Sequence, residues 1–367
     1  MASDLVGLYA KQLQDIFALL IPQGRGGALV DFPDSLNCGE HAIWLGQKRL
    51  LSGLGIPIVY ESSAQTYDRD AMTARIGVGT IFMQGGGNLG RHPFRQEVRL
   101  RVLQDFPNNK IILFPRQVTP SDNQDLERIA NVIGRHPDVT LFARSTDAQR
   151  VLIEHFRQCA RVELAPDMSF LLGPQPRPCK PFYDIVWVAR TGQEHANDRT
   201  EVAARLASQA AEKIVLPKFA DGVEINLVAK QRPPTVLLTD WQSLVFENEE
   251  ARLAYQRLDF DARSEARVSR ALHILSLGRM VVTDRLHAHI LCLMMGIGHV
   301  LVSDETGKNQ HFYETWTRDS NLCRFARDPA EAWSIARAAL KQGNDGEWSW
   351  EDTPSSGSRA RIGPTAR

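Results

Sequence analysis

The sequence predicts an α/β protein with two doubly wound, Rossmann-like domains. Three observations carry this. Short apolar runs alternate with helical patterns along the chain, the pattern of parallel strands covered by helices on both faces. A proline-rich break, "GPQPRPCKP" at residues 173–181, interrupts the alternation near the middle, and neither strand nor helix continues through it. The chain has 367 residues, enough for two domains of ordinary size.

The elements follow in order. "MASDLVGLYAKQLQDIFALLI" reads as an amphipathic helix capped by Ser3, with Val6, Tyr9, Leu13, Ile16 and Leu20 on its apolar stripe. Lys11 alone gives its polar face little basic character, unlike a membrane-surface helix. A basic n-region and a cleavage site are both missing, so no signal peptide is expected. No apolar run reaches the roughly 18 residues of a spanning helix. "PIVYES", "GTIFMQ", "KIILFP", "VTLFAR" and "RVELAP" read as strands before the break. "YDIVWVAR", "KIVLP", "PTVLLTD", "RMVVTD" and "HVLVS" do so after it. The expected domains are therefore 1–175 and 176–345, with a cleft between them and a disordered Ser/Gly/Pro/Arg-rich tail at 346–367.

Composition narrows the function. Lys+Arg and Asp+Glu both number 43, so no global field selects nucleic acid or an anionic membrane. The five cysteines are an odd count with wide spacings and no CxxC. That argues against a disulfide framework and a cysteine zinc site, and for a reduced, cytoplasmic setting.

Three motifs carry candidate chemistry. "GGGNLG" at residues 85–90 follows a strand and precedes a helical stretch. It satisfies GxGxxG, but the next strand ends in Pro115-Arg116 where a dinucleotide site needs an acidic residue. Gly86, Gly87 and Asn88 are therefore read as a ligand-approach loop, with a structural turn as the alternative. "NCGEHAI" at residues 37–43 opens a helix, with Asn37 as cap and Glu40 favourable to the dipole. A structural role is adequate for both residues, and an acceptor site could also use them.

The third motif is "TDRLHAHILCLMMG" at residues 283–296. It follows the strand "RMVVTD" and is apolar nearly all round, hence buried. Thr283 or Asp284 is expected to cap it, with Arg285 and His287 in its first turn. An amino end at the carboxyl edge of a sheet, with a guanidinium beside it, suits a phosphate or carboxylate. Arg190 after "DIVWVA" and Lys308 after "HVLVSDETG" would add charge to the same site. His287 and His289, two apart on a helix, cannot share one metal ion, and no metal is expected.

These residues carry a family likeness. "VVTDRLHAHILCLMMGIGHVLV" followed by "GKNQHFYETW" resembles the signature of the polysaccharide pyruvyl transferase family. "NCGEHAI", "GGGNLG", "ILFPRQ", "ARSTDAQ" and "LAPDMSF" resemble, in order, its Asn-x-Gly-Asp, glycine-loop, Leu-Pro-Gln, Arg-Glu-Ser and Pro-Asp elements. Glu40 replaces the usual Asp, Arg116 interrupts the Pro-Gln pair, and Ser145 directly follows Arg144.

The resemblance implies a GT-B-like arrangement of the two domains, the first on the acceptor side and the second on the donor side. It implies phosphoenolpyruvate as donor, no further cofactor, and an exopolysaccharide or cell-surface glycan as acceptor. Transfer onto a lipid-linked intermediate, with peripheral association at the inner membrane face, is one form of this. Arg190, Arg285 and Lys308 would bind the donor, and His287 would deliver a proton, with Asp284 orienting His287 or holding Arg285. A GT-B glycosyltransferase using a nucleotide sugar, and a non-catalytic glycan-binding protein of the same fold, are the alternatives.

Overall fold

The computed structural model describes residues 2–89, 93–118, 123–190, 214–215, 236–239 and 254–342. Gly90 and the 346–367 tail lie outside the described residues. The first half runs α1 (Ala2–Leu20), β1 (Gly27–Phe32), α2 (Cys38–Gly53), β2 (Ile58–Ser63), α3 (Arg69–Ile76), β3 (Thr80–Met83) and β4 (Gly86–Leu89). It continues with α4 (Pro93–Asp105), β5 (Ile111–Val118), α5 (Asn123–Ile133), β6 (Val139–Ala143), α6 (Thr146–Phe156) and β7 (Arg161–Leu164). A 3-10 turn at Met168–Leu172 follows. The second half holds β8 (Tyr183–Val188), β9 (Ile214–Val215), β10 (Val236–Thr239), α7 (Phe260–Ser276), β11 (Gly278–Thr283), α8 (Leu286–Met295) and β12 (His299–Val302). It closes with α9 (Lys308–Phe312), a π turn at Tyr313–Thr317, β13 (Cys323–Ala326) and α10 (Pro329–Gln342).

The strands form two parallel sheets. The first has the order β2-β1-β3-β5-β6-β7, with β4 on β5. The second has the order β13-β12-β11-β8-β10-β9. The first order reverses once, beside β1; the second reverses beside β8 and again at β10, which lies between β8 and β9. Open parallel sheets bind ligands at the carboxyl edge of such a reversal. The mixed α/β class with Rossmann-like parallel sheets is as the alternation predicts.

Successive strand residues face opposite sides, and the core divides accordingly. Ala28, Ile81, Leu113 and Leu141 pack on one face of the first sheet. Ile185, Met280, Val282 and Val300 do so on the second, against Trp333 of α10. The inner faces share one cluster that joins Leu29, Phe82 and Ile112 to Val186, Val188 and Val281 through α1, α2, α7 and α8. Leu286, Ile290, Leu291, Leu293 and Met294 of α8 are all buried there, worth roughly 1.5–3 kcal/mol each by area.

Some elements differ from the sequence reading. β1, "GALVDF", opens on glycine and alanine and lacks a strong β-branched signal, yet all six of its residues are buried. β13, "CRFA", is short and centred on a polar residue. β4 replaces the expected loop. β3 pairs residues 81–83 with 111–113, and β4 carries on along the same strand with Gly86 opposite Arg116 and Leu89 opposite Val118. The step between them needs glycine, because Gly86 has φ +105° and a Cβ on Gly85 would lie 2.7 Å from the Pro115 carbonyl oxygen. In α1 the buried stripe is Val6, Tyr9, Leu13 and Phe17, continued by Ile21 just past its end, while Ile16 and Leu20 flank it half-buried.

Candidate active site at the mouth of the buried helix

α8 starts one step later than its sequence suggests. Arg285 is the N-cap, with φ −102° and ψ 117° and no side-chain cap hydrogen bond. Thr283 does not cap the helix. Its hydroxyl accepts the Arg285 N–H at 3.0 Å and donates to the Val188 carbonyl at 2.8 Å. That fixes the ends of β11 and β8 together and turns the chain into the helix. The amino end of α8 therefore carries its dipole without an acidic cap.

Asp284 reinforces the same junction. Its carboxylate accepts the Arg190 backbone N–H at 3.0 Å, and its carbonyl accepts from Asn309 Nδ2 at 2.7 Å. The carboxylate beside His287 is instead Asp167, whose Oδ2 lies 3.3 Å from His287 Nε2 and 3.0 Å from Arg144 Nη1. Its Oδ1 accepts from the Ser169 N–H at 3.0 Å and the Ser169 hydroxyl at 2.6 Å. Burial alone would raise the Asp167 pKa, but His287, Arg144 and Ser169 together hold it well below the usual carboxylate range. Asp167 is fully buried and ionised between Arg144 and the His287 ring. Neither Arg144 nor Asp167 was singled out as a site residue from sequence. Their signal was their place in the "ARSTDAQ" and "LAPDMSF" stretches.

The first half meets His287 directly. The His287 ring rests on Gly39 in the first turn of α2, where an added Cβ would stand 2.2 Å from Nδ1. Asn37 caps α2 by accepting the Gly39 N–H at 3.1 Å, as its sequence predicts. Glu40 accepts from the Ser35 hydroxyl at 2.8 Å and lies 3.7 Å from Arg95. Arg95 and Arg99 in turn clasp Asp31 at 2.7 and 2.6 Å. Asp31 has φ 72°, unusual for a non-glycine residue, and follows the switch point of the first sheet. Gly87 flanks Arg144, with an added Cβ 3.5 Å from Nη2. Gly87, Arg144, Asp167 and His287 thus form one continuous path between the two sheet edges.

Lys308 lies 3.3 Å from Asp304 and is mostly buried. Burial pushes its ammonium down to about 8; Arg190 and Arg144 add to that, and Asp304 opposes it. Arg190, Arg144 and Lys308 therefore share one electropositive neighbourhood. Cys38 reports a second one. Burial pushes its thiol up to about 11 against the opposing pull of Arg267, Arg270 and Arg285.

Among the described residues, one histidine–cysteine group has metal-ligand spacing: His289, His299 and Cys323. Its ring nitrogens are already engaged. His299 Nδ1 donates to the Ile297 carbonyl at 2.8 Å, so its Nε2 accepts from His289 Nδ1 at 2.7 Å. His289 Nε2 then accepts from the Thr317 hydroxyl at 2.9 Å. This is a hydrogen-bonded chain that ties α8 to β12 and the π turn, and an ion would have to break it.

A fold of two parallel sheets, with a histidine and a cation cluster at the carboxyl edge of one, fits a group-transfer enzyme that handles anions. The chain belongs to the polysaccharide pyruvyl transferase family, whose sequence profile matches residues 37–305. It is 30% identical over 314 residues to Pyruvyl transferase 1 of Schizosaccharomyces pombe, covering 80% of this chain and 70% of that protein. It is 26% identical over 241 residues to EpsO of Bacillus subtilis, covering 64% and 69%. A crystal structure of a functionally uncharacterised Klebsiella pneumoniae protein shares the fold, with a TM-score of 0.52 at 14% identity over 87% of this chain and 98% of that one. Among the described residues no helix is long and apolar enough to cross a membrane.

Proposed function

We propose that the chain transfers the pyruvyl group of phosphoenolpyruvate onto sugar hydroxyls of an exopolysaccharide or cell-surface glycan precursor, forming a pyruvate ketal and releasing phosphate. One observation carries this reading: the uncapped amino end of α8 presents Arg285 beside His287, close to Arg190 and Lys308. Such a group suits a small ligand that bears both a phosphate and a carboxylate.

In this account the second half, 176–345, holds the donor. The first half, 1–175, offers Asn37, Glu40, Gly86, Gly87 and Asn88 to the acceptor across a GT-B-like cleft. A sugar hydroxyl adds to C2 of the enol and loses its proton, while C3 gains a proton to become the methyl group. Phosphate then leaves C2, and a second hydroxyl closes the ketal with loss of its own proton. His287 supplies the proton to C3. The ionised Asp167 stabilises a positive charge on that ring, and Arg285, Arg190 and Lys308 together bind the phosphate and the carboxylate of the donor.

The test is phosphate release from phosphoenolpyruvate across a panel of synthetic and lipid-linked glycans, with the product examined for a ketal-bound pyruvyl group. Acceptor-dependent release with ketal product supports the reading. Turnover of a nucleotide sugar in place of phosphoenolpyruvate would favour a glycosyltransferase. Glycan binding without turnover of either donor would favour a binding protein.

A further inference from the structure

α7 places Arg263, Arg267 and Arg270 at helical spacing, so one face of the helix is a basic stripe. Arg263 lies 3.8 Å from Asp34. Arg267 differs. It is 1% exposed, its Nε donates to the Tyr255 hydroxyl at 2.9 Å, and its guanidinium carbon lies 5.0 Å from the centre of that ring. Nη1 and Nη2 are buried and, among the described residues, have no hydrogen-bond partner. A buried guanidinium with both terminal nitrogens unmade is costly unless something else binds there.

The neighbourhood indicates what that is. α7 packs on the first turn of α2, where Ser264, three residues before Arg267, hydrogen-bonds His41 Nδ1 at 2.9 Å, and Arg267, Arg270 and Arg285 all act electrostatically on Cys38, the first residue of α2. Arg267 also acts on His41 in the same turn. Gly39, between those two, is the residue on which His287 rests. The amino end of a sixteen-residue helix therefore packs on α7 one turn from Arg267, and the same turn of α2 supports His287 through Gly39. The cations here differ from those of the Lys308, Arg190 and Arg144 group.

We propose that Arg267 is a further substrate-binding residue, whose Nη1 and Nη2 clamp a carboxylate in two-pronged fashion at the amino end of α2. The inference rests on reading the site as one for phosphoenolpyruvate. The two anionic ends of that donor then occupy two pockets: phosphate at Lys308 and Arg190, carboxylate at Arg267 and Arg285. A planar guanidinium matches a planar carboxylate, and a lysine does not.

The experiment is calorimetric titration of the full chain with two probes, phosphoenolpyruvate and methyl phosphate, the second lacking the carboxylate. Arg267→Gln is expected to weaken phosphoenolpyruvate tenfold or more and leave methyl phosphate within twofold. Arg267→Lys is expected to recover only part of the loss, and it carries the test if Arg267→Gln does not fold. Equal losses for both probes, or none for either in a folded variant, would overturn the proposal and leave Arg267 as a packing partner of Tyr255. A wild-type chain that binds methyl phosphate as tightly as phosphoenolpyruvate would also overturn it. A wild-type chain that binds neither would overturn the donor reading, and this inference with it.

Discussion

A Cβ on Gly39 would stand 2.2 Å from Nδ1, 2.3 Å from Cγ and 2.6 Å from Cβ of His287. The bare backbone of α2 is thus the surface that supports the imidazole, and the glycine of "NCGEH" is explained by the histidine of "RLH". Gly39 does not have a positive φ, so the constraint is one of space. Gly39→Ala should displace His287 from Asp167 and cost about 1–3 kcal/mol of stability through overpacking. Turnover per folded molecule should fall at least tenfold. Measuring melting temperature and turnover on one preparation checks this, and normal turnover would show that the ring position is not critical.

Lys308 gives donor binding a pH dependence. Its ammonium is pushed down to about 8 by burial and by Arg190 and Arg144. The amine therefore loses its charge as pH rises through that value, and anion affinity should fall with it. Phosphoenolpyruvate affinity is expected to drop several-fold between pH 7.5 and 9.5, a range above the second ionisation of a phosphate ester at about 6. Lys308→Arg should flatten the profile, because a guanidinium stays charged. A wild-type affinity that is constant over this range would contradict the assignment.

Two buried histidines set the acid side of stability. His41 donates through Nε2 to the Ser35 carbonyl at 2.8 Å and accepts the Ser264 hydroxyl on Nδ1 at 2.9 Å, linking the two halves. Burial pushes both His41 and His299 down to about 4 from an ordinary 6.5. Between those values the unfolded chain binds the proton and the folded chain does not. Stability should therefore rise with pH through this window and be lost on acidification from about 6.5 towards 4. Each residue accounts for on the order of 3 kcal/mol at most, at roughly 1.4 kcal/mol per pKa unit. Urea unfolding at a series of pH values tests this. His41→Gln and His299→Gln should each reduce the slope, and an unchanged slope in both would point to other groups.

The sequence exposed what is local and hid what is tertiary. The runs "YDIVWVAR", "RMVVTD" and "HVLVS" are strands because a central parallel strand is buried on both faces and must be apolar throughout. The amino end of α8 was legible for the same reason: Arg285 and His287 stand out against the apolar helix they open. Glycine-rich β4 was not legible, since its pairing comes from a continuation along β5 and not from β-propensity. Spacing cannot pair Asp167 with His287; the nearby carboxylate it offers is Asp284, which could orient His287 or hold Arg285. In the structure the Asp284 carboxylate accepts the Arg190 backbone N–H, and Asp167 lies beside His287. Arg267 was passed over because arginine on a helix is ordinarily solvated, and only its burial distinguishes it.

The role of His287 as proton donor is tested most directly by His287→Gln, with calorimetric phosphoenolpyruvate affinity and acceptor-dependent turnover measured on one well-folded sample. Glutamine can still donate a hydrogen bond to the donor but cannot deliver a proton to C3. The account predicts donor affinity within a few-fold of wild type and turnover lower by roughly 100- to 10,000-fold, the usual weight of a general acid. Turnover close to wild type in a folded His287→Gln chain would contradict it and assign the proton to another group in the cleft.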